Sequence, residues 1–363
     1  MREIKGNSEK ELKEILINND NCLKMKEVII NKVKLLSFYK EENGQLWFDY
    51  YNQSPLDNDD VKYDIKQRIP LSIELLKNKN ISQELIDEMK NETKIIVIYD
   101  NMFYFVSKSF LKMLLLYCKV KGSFFTKTEN IKETISCLSK IINNEDNEDK
   151  LNILYKENDC KIKKIISINS LKYGIIEQMN IIKIANEFPV KLYQYTISED
   201  LTEVIYLFEN EKSSLPGYEY ALRIMTSDTD ESSFKTDLVL LNKKNNNIII
   251  TKSVYKKHFS TFDIYSFIND IKKIIKIDEY NKKIEELNDK KLDNKVEYYI
   301  LKSDITKIIG LKKVKNILKR DLKAENKKDI IFILLDIYEN IFITLNKNQK
   351  ENMAIFIGNQ IFN

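Results

Sequence analysis

The 363-residue sequence contains a single histidine, four cysteines, seven glycines and four prolines. One histidine cannot build a histidine-rich metal centre, and any His-paired catalytic triad would have to use that one residue. Average proteins contain about 7% glycine and about 5% proline, so these low counts exclude collagen-like and Pro/Gly-rich disordered chains. They also leave little material for the glycine-rich loops that cradle phosphates.

The cysteines and the apolar runs favour a cytoplasmic protein without a membrane span. No two cysteines have C-x-x-C spacing, so neither a zinc site nor a disulfide framework is indicated. The four are Cys22, Cys118, Cys137 and Cys160. No signal-peptide-like apolar run follows Met1. The longest apolar runs, Ile330–Leu335 and Met113–Tyr117, are much shorter than the roughly 18 residues of a membrane-spanning helix.

Basic and acidic residues nearly balance, with 59 Lys and Arg against 55 Asp and Glu and a formal net charge of +4. The whole-chain charge therefore does not indicate a polyanionic partner. Only four of the basic residues are arginines, namely Arg2, Arg68, Arg223 and Arg320. Because arginine supplies the planar group for bidentate phosphate or base contacts and lysine only a diffuse charge, any basic signal must be local and lysine-based.

The motifs of the common catalytic and nucleotide-binding classes are missing. The sequence has neither a G-x-x-x-x-G-K-[ST] nor a G-x-G-x-x-G pattern. Its only Gly-Ser pair, Gly122-Ser123, lacks the second glycine of a G-x-S-x-G elbow. A cysteine nucleophile would need His258 as its base. We therefore expect a non-enzymatic protein with no catalytic residues, no metal and no cofactor.

One acidic cluster keeps a metal-dependent nuclease open as a further hypothesis. Asp228, Asp230 and Glu231 fall in a predicted turn between two strands. They lack the strand-borne D…E-x-K arrangement that a Mg²⁺ site of this type uses. A solvated turn explains them more simply.

Hydrophobic periodicity predicts the elements of the first half. Apolar residues recur at helical intervals over residues 8–38. A strand follows, then a helix near Ser82–Met89, a hairpin, and two helices that Ser107 and Thr126 are expected to cap. The predicted strands are Leu46–Tyr51, Lys94–Tyr99 and Met102–Val106, and the first capped helix covers Lys108–Lys119.

From residue 150 the apolar pattern alternates, which is typical of strands. The predicted strands are Leu151–Lys156, Lys161–Ser167, Val190–Ile197, Thr202–Phe208, Glu219–Thr226, Phe234–Leu241 and Ile248–Ser253, with Val296–Lys302 as a later candidate. The first two of these strands are expected to pair with each other. Short turns between the five strands from Val190–Ile197 to Ile248–Ser253 imply an antiparallel meander. Helices are predicted at Ser170–Asn186, after Ser260 to about Leu287, at Asp304–Leu322 and at Asp329–Leu345.

These elements predict an α+β fold, with a central antiparallel sheet (a meander) and with N-terminal and C-terminal helical regions. We divide the chain into three regions. They are an N-terminal helical region at residues 1–93, an α+β core at 94–262 and a C-terminal helical region with a basic helix at 263–363.

Two basic segments are candidate nucleic-acid contacts. Lys256, Lys257 and His258 follow Tyr255 and precede the Ser260 cap of a predicted helix. Basic residues beside aromatic ones can contact phosphates and bases. The alternative interpretation is a partly exposed histidine at a helix start.

The stronger charge signal is residues 302–328, which contain ten basic and three acidic residues. Within the predicted helix, a basic stripe can follow a phosphate backbone while apolar residues face the core. The predicted contacts of this stripe are Lys312, Lys313, Lys315, Lys319 and Arg320. The alternative is a solvated helix face, which a lysine-rich chain forms readily.

Four groups of residues within 94–262 form an ordered set of landmarks. They are Phe105-Val-Ser107 before the Phe110–Cys118 helix with Gly122 and Phe124-Phe125; Lys163–Ser167 with Tyr173; Gly217–Ile224 with Thr226-Ser227-Asp228; and Leu240-Leu241-Asn242 with His258. In this order they resemble the phage/plasmid-like family catalogued as domain of unknown function 932. The sequence departs from the family pattern at Asp230, Leu241 and Lys243. The resemblance implies a gene of a mobile element in a bacterial host, and it implies no activity and no site residues.

The leading hypothesis is a phage- or plasmid-encoded protein that binds nucleic acid, single-stranded or as part of a complex, with DNA and RNA both open. The alternative is a protein-interaction or self-assembling module, such as an inhibitor of host defence or a structural phage protein. An apolar face such as Phe332–Ile343 would then form the contact. We expect no membrane partner, and a homo-oligomer is left open.

Overall fold

The computed structural model describes residues 3–40, 46–51, 65–71, 94–99, 102–120, 131–143, 148–158, 162–198, 201–227, 234–258, 261–287, 296–310 and 327–362. These residues form two sheets of mostly antiparallel strands, with helical N- and C-terminal regions. The predicted α+β class is therefore confirmed. The predicted meander is one of the two sheets.

The first sheet has six strands among the described residues, and each neighbouring pair of strands is antiparallel. In spatial order the strands are β1 (Ile4–Gly6), β10 (Val190–Ile197), β11 (Thr202–Lys212), β12 (Glu219–Thr226), β13 (Phe234–Asn242) and β14 (Asn247–Lys256). The last five follow one another along the chain, as the alternating pattern predicts.

The second sheet has eight described strands. They come from both sides of residue 93, where the predicted N-terminal region ends. In spatial order they are β2 (Leu23–Ile29), β8 (Lys150–Asn158), β9 (Ile162–Asn169), β7 (Met102–Val106), β6 (Lys94–Tyr99), β3 (Lys34–Lys40), β4 (Leu46–Tyr51) and β5 (Ile65–Leu71). Among these described strands, only β7 and β9 pair in parallel. The predicted pairings of β6 with β7 and of β8 with β9 are confirmed. The division into three regions stays a prediction.

The helices lie around these sheets. They are α1 (Glu9–Cys22), α2 (Lys108–Tyr117), α3 (Ile131–Ile142), α4 (Asn180–Ala185), α5 (Ile264–Ile274), α6 (Ile277–Glu286), α7 (Val296–Ile309), α8 (Lys327–Ile341) and α9 (Lys347–Phe362). Ser107 caps α2 as predicted, because its hydroxyl accepts a bond from the Phe110 amide at 3.1 Å. In the described part of the chain, none of the helices is long and apolar enough to cross a membrane.

The main hydrophobic core joins the six-stranded sheet to α1 and to the C-terminal helices. Tyr206, Tyr220 and Tyr338 are among its largest fully buried side chains. A second core packs α2 and α3 against the eight-stranded sheet through Phe110 and Leu138. Burying each such side chain contributes about 1.5–3 kcal/mol, so these contacts hold the sheets and helices in place.

The last helix, α9, was not predicted, although it packs closely on β14. Gly358 allows this approach, since a Cβ atom there would collide with the backbone oxygen of Ile250. Asn346 and Gln349 cap the start of α9 reciprocally, with amide-to-side-chain bonds of 2.9 and 3.2 Å. This N-x-x-Q box before an apolar run is the sequence signal that could have found the helix.

The helix predicted over residues 8–38 is wrong beyond Cys22. The segment at the end of α1, Asn18–Cys22, consists of residues with low helix propensity. Leu23 is already extended, and residues 23–29 pair with β8 from Leu23↔Lys156 to Ile29↔Lys150. Pairing with a strand that is distant in sequence overrides the local helical spacing.

The helix predicted at Ser170–Asn186 is wrong in its first ten residues. Tertiary contacts occupy the backbone there: the amides of Gln178 and Met179 donate to the Asp20 carboxylate at 2.7 and 2.9 Å. Only residues 180–185 are α-helical. The Asp20 carboxylate of α1 thus takes the role of a cap for a short helix.

Two predictions near residue 300 are also wrong. The strand predicted at Val296–Lys302 lies inside α7. The helix predicted at Asp304–Leu322 does not continue through Gly310, because α7 ends at Ile309 and Gly310 has a φ of 87°. Glycine with positive φ is the usual residue after a helix C-terminus. Residues 311–326 lie outside the described residues.

Candidate functional site

A cleft of about 1090 Å³ lies where the two sheets and α9 meet. One part of its wall is apolar and comes from α2 and the eight-stranded sheet, including Met113, Leu116 and Leu151. Another part is charged and comes from β12, β13 and α9. Small-molecule sites typically have volumes of about 300–1,000 Å³. This cleft is therefore large enough for a ligand that has both apolar and charged groups.

The register of the six-stranded sheet builds the charged wall. Arg223 is paired across the strands with Asp237, Met225 with Lys235, and Lys235 with Tyr255. Residues directly opposite each other in antiparallel strands share one face of the sheet. The register therefore brings cations, a carboxylate and an aromatic ring from three strands to the same face.

Five charged side chains of this face and of α9 form the Arg223 cluster, which we define as Glu203, Arg223, Lys235, Asp237 and Glu351. Arg223 Nε donates to Glu203 at 2.5 Å, and its Nη1 donates to Glu351 at 2.7 Å and to Asp237 at 3.4 Å. Lys235 Nζ lies 2.8 Å from Glu351 and 3.1 Å from Asp237. The Arg223 side chain is only 5% exposed and that of Asp237 is 0% exposed. A buried cluster of this kind persists only when its charges compensate one another.

The protonation preferences of the cluster follow from burial and charge. Burial disfavours the charge on Arg223, but the carboxylates of Glu203, Glu351 and Asp237 outweigh it and raise the pKa of Arg223. Burial raises the pKa of Asp237, against the effect of Arg223 and Lys235. Burial also works to raise the pKa of Glu351, but Arg223 and Lys235 outweigh it and bring that pKa below its ordinary value.

Three carboxylates surround two cations in the Arg223 cluster, so Arg223 and Lys235 have no surplus charge for an anionic ligand. The cleft has two further cations, Lys257 after β14 and Lys347 at the start of α9. Both are exposed. Neither forms an ion pair with a described residue. These two lysines are therefore the exposed cations of the described cleft lining that are open to an anionic group.

The structure separates the three predicted contacts that follow Tyr255. Lys257 and His258 line the cleft, as does the Tyr255 ring, which is 62% exposed. Lys256 does not, and its Nζ lies 3.2 Å from Asp270. Hydrogen bonds from Lys273 and Lys256 lower the pKa of Asp270, so the charge of Lys256 is already used within the protein.

His258 is a buried link between the two sheets. Its side chain is 5% exposed, and its ring stacks on Tyr173 with centroids 5.5 Å apart and planes 4° apart. The Gly174 amide donates to the His258 carbonyl at 3.2 Å. The alternative expectation of a partly exposed histidine is therefore wrong. The Tyr173–His258 stack joins the end of β14 to the segment after β9 and fixes one side of the cleft.

Other predicted residues are not placed. Lys312, Lys313, Lys315, Lys319 and Arg320 lie outside the described residues. The same holds for the acidic cluster, Asp228, Asp230 and Glu231. Among the residues that the structure does describe, no group of three or more His, Cys, Asp or Glu side chains is arranged to hold a metal ion.

The apolar segment Phe332–Ile343 is largely used inside the chain. Leu334, Leu335 and Tyr338 are buried in the main core. Phe332 is 39% exposed and Ile343 is 92% exposed. Single exposed apolar residues are common on protein surfaces, so this segment offers little continuous surface to a partner.

Comparison with known proteins gives no match: no family model, no curated protein and no solved structure matches the chain. The resemblance to the phage/plasmid-like family stays a prediction.

Proposed function

We propose that this protein binds single-stranded nucleic acid in the cleft, as a non-enzymatic accessory protein of a phage or plasmid in the cytoplasm of the host. The mobile-element origin is taken from the family resemblance alone. The binding proposal is supported by one observation above all: Tyr255 and Lys257, from a segment that the sequence singles out, line the same cleft as Lys347 from a distant helix.

The lysines supply the electrostatic part of the interaction. Lys257 and Lys347 are exposed on the cleft, and the carboxylates of the Arg223 cluster are already bound to Arg223 and Lys235. A phosphate at either lysine therefore displaces counter-ions rather than an internal ion pair. Release of such counter-ions drives most sequence-independent binding of nucleic acids.

The aromatic and apolar walls favour unpaired bases. The faces of paired bases are covered by their neighbours in a duplex, whereas those of a single strand can stack on a tyrosine ring. Tyr255 is exposed, and Leu116 of α2, which is 61% exposed, adds apolar surface to the lining. A single strand uses both parts of the lining, and a duplex uses only the lysines.

The test is a fluorescence-anisotropy titration of the purified protein against labelled single- and double-stranded DNA and RNA of equal length, at two salt concentrations. We expect saturable binding of single strands that weakens with salt, and weaker binding of duplexes. Absence of binding at low salt would contradict the proposal, and the protein-interaction module would become the leading hypothesis. DNA and RNA titrations in parallel decide between the two nucleic acids.

The predicted basic stripe is tested separately. If it forms the contact, replacing Lys312, Lys315 and Lys319 with Glu abolishes binding and changes the thermal midpoint little. Retained affinity in this triple variant would contradict the stripe and leave the cleft as the binding surface.

A further inference from the structure

At the start of α9, two charged residues one turn apart lie on the same side of the helix. Lys347 and Glu351 are four residues apart in the helix and both line the cleft. Side chains at this spacing are neighbours on the helix surface. Whatever holds Glu351 in place therefore also determines where Lys347 lies.

Glu351 is held by both of its carboxylate oxygens. Oε2 accepts from Arg223 Nη1 at 2.7 Å on β12, and Oε1 accepts from Lys235 Nζ at 2.8 Å on β13. The buried residues of α9 begin only at Met353. In the first turn, the other described attachments are those of Lys350, whose Nζ lies over the Phe342 ring and whose carbonyl accepts from Tyr338. Both lead to α8 and its following turn, so Glu351 is the described polar attachment of this turn to the sheet.

The charge count makes this role testable. Glu203 and Asp237 already supply two carboxylates to Arg223 and Lys235. Glu351 adds a third, and it is negative on the wall of a cleft that we propose to bind an anion. By electrostatics alone, Glu351 opposes ligand binding. Glu351 can therefore favour ligand binding only through the positions in which it holds other residues.

We propose that Glu351 is a positioning residue: by bridging Arg223 and Lys235 it fixes the first turn of α9 on the sheet and thereby holds Lys347 at the cleft for a phosphate group. The role assigned to Lys347 rests on the proposed function, whereas the fixing of the helix turn does not.

Glu351→Gln distinguishes the two effects by sign. It keeps the shape of the side chain and removes its charge. If Glu351 acts only as a charge, the variant binds a single-stranded oligonucleotide about twofold more tightly. If it positions Lys347, the variant binds about fivefold more weakly, because a lysine–phosphate contact is lost.

A double-variant cycle with Lys347→Ala separates positioning from a general loss of structure. We expect Glu351→Gln to weaken binding in the native background and to tighten it in the Lys347→Ala background, where no lysine is left to position. Weakening of equal size in both backgrounds would overturn the assignment, since a merely structural role does not depend on Lys347.

Hydrogen exchange measured by mass spectrometry tests the helix turn without any ligand. We expect the amides of residues 349–353 to exchange about tenfold faster or more in Glu351→Gln, because charged hydrogen bonds are lost. Unchanged exchange overturns the proposal. Faster exchange in a protein that binds no oligonucleotide contradicts only the proposed function. Should Glu351→Gln fail to fold, Lys235→Gln releases one oxygen of Glu351 and gives the same exchange measurement.

Discussion

Reversing the charge of the two cleft lysines, in the variant Lys257→Glu/Lys347→Glu, tests the cleft as the binding site. Both side chains are exposed and form no ion pair with a described residue, so the substitutions remove no partner from the Arg223 cluster. We expect a thermal midpoint close to that of the native protein. The matched control is Lys13→Glu/Lys282→Glu, on exposed positions of α1 and α6 outside the cleft lining.

The control removes the effect of overall charge. Each double variant replaces two positive charges with two negative ones and lowers the formal net charge from +4 to zero. Long-range attraction of a polyanion is therefore reduced to the same extent in both. Any difference between the two variants reports where the lysines lie.

The expected loss of affinity follows from the exposure of these groups. An exposed ion pair contributes up to about 1 kcal/mol. Each substitution removes one attraction and adds a repulsion of similar size, so the double variant loses up to about 4 kcal/mol. Since about 1.4 kcal/mol corresponds to a tenfold change in affinity, we expect binding to weaken by between about tenfold and about a thousandfold, and the control to weaken by much less.

The salt dependence gives a second, independent number. For single strands the logarithm of the affinity falls by about 0.7 per phosphate contact for each tenfold rise in salt. Loss of two contacts therefore reduces the slope by about 1.4. Anisotropy titrations at four or more salt concentrations measure this slope. If both double variants weaken binding equally and keep the native slope, Lys257 and Lys347 make no phosphate contact and our interpretation of the cleft is refuted.

Three further predictions concern single residues of the cleft and of the packing of α9. Tyr255→Ala is expected to weaken single-strand binding about tenfold, because one base loses its stacking partner. The control is Tyr265→Ala, at a tyrosine that is 74% exposed and lies outside the cleft lining, and it should leave the affinity unchanged. Equal effects of the two substitutions would contradict stacking at Tyr255. Gly358→Ala is expected to lower the free energy of unfolding, measured in urea titrations, by about 1 kcal/mol or more. The collision of the new Cβ atom with Ile250 outweighs a helix-propensity gain of about 1 kcal/mol. A stabilised variant would contradict the close approach of α9 to β14. The pKa of Glu351 lies below its ordinary value of 4.5, so its charge stabilises the folded protein fully above that pH, and this stabilisation is lost as the pH falls through the lower folded-state pKa. The difference in unfolding free energy between the native protein and Glu351→Gln should therefore shrink from pH 7 to about pH 3. A difference that grows as the pH falls would mean that folding raises the pKa of Glu351.

The sequence predicts the six-stranded sheet well because its signals are local. Alternating residues and short turns define β10 to β14, and each strand pairs with the next one along the chain. The eight-stranded sheet depends on pairings between distant segments, such as β2 with β8. Those pairings are decided by tertiary contacts, so the segment at 23–38 shows helical spacing in the sequence and is extended in the structure.

The candidate site could be predicted only in part for the same reason. Tyr255 and Lys257 form a local pattern, and the sequence singles them out. Arg223 and Glu351 are 128 residues apart. Arg223 lies inside the Gly217–Ile224 landmark without being distinguished by it, and Glu351 stands in no motif. Only the register of β12 and the packing of α9 on β14 bring them together. The capping box at Asn346 could have located the helix, although not its partner.

The number of charges along the sequence also does not predict which cations are accessible to a ligand. Lys235, Lys256 and Lys257 each add one positive charge to the sequence. In the structure, Lys235 belongs to a buried cluster and Lys256 is bound to Asp270. Lys257 alone of the three is exposed on the cleft without an ion pair to a described residue. A basic residue contributes to binding only where the fold has not already neutralised it. The position of the carboxylates, more than the number of lysines, therefore decides which lysines of this protein are open to an anionic ligand.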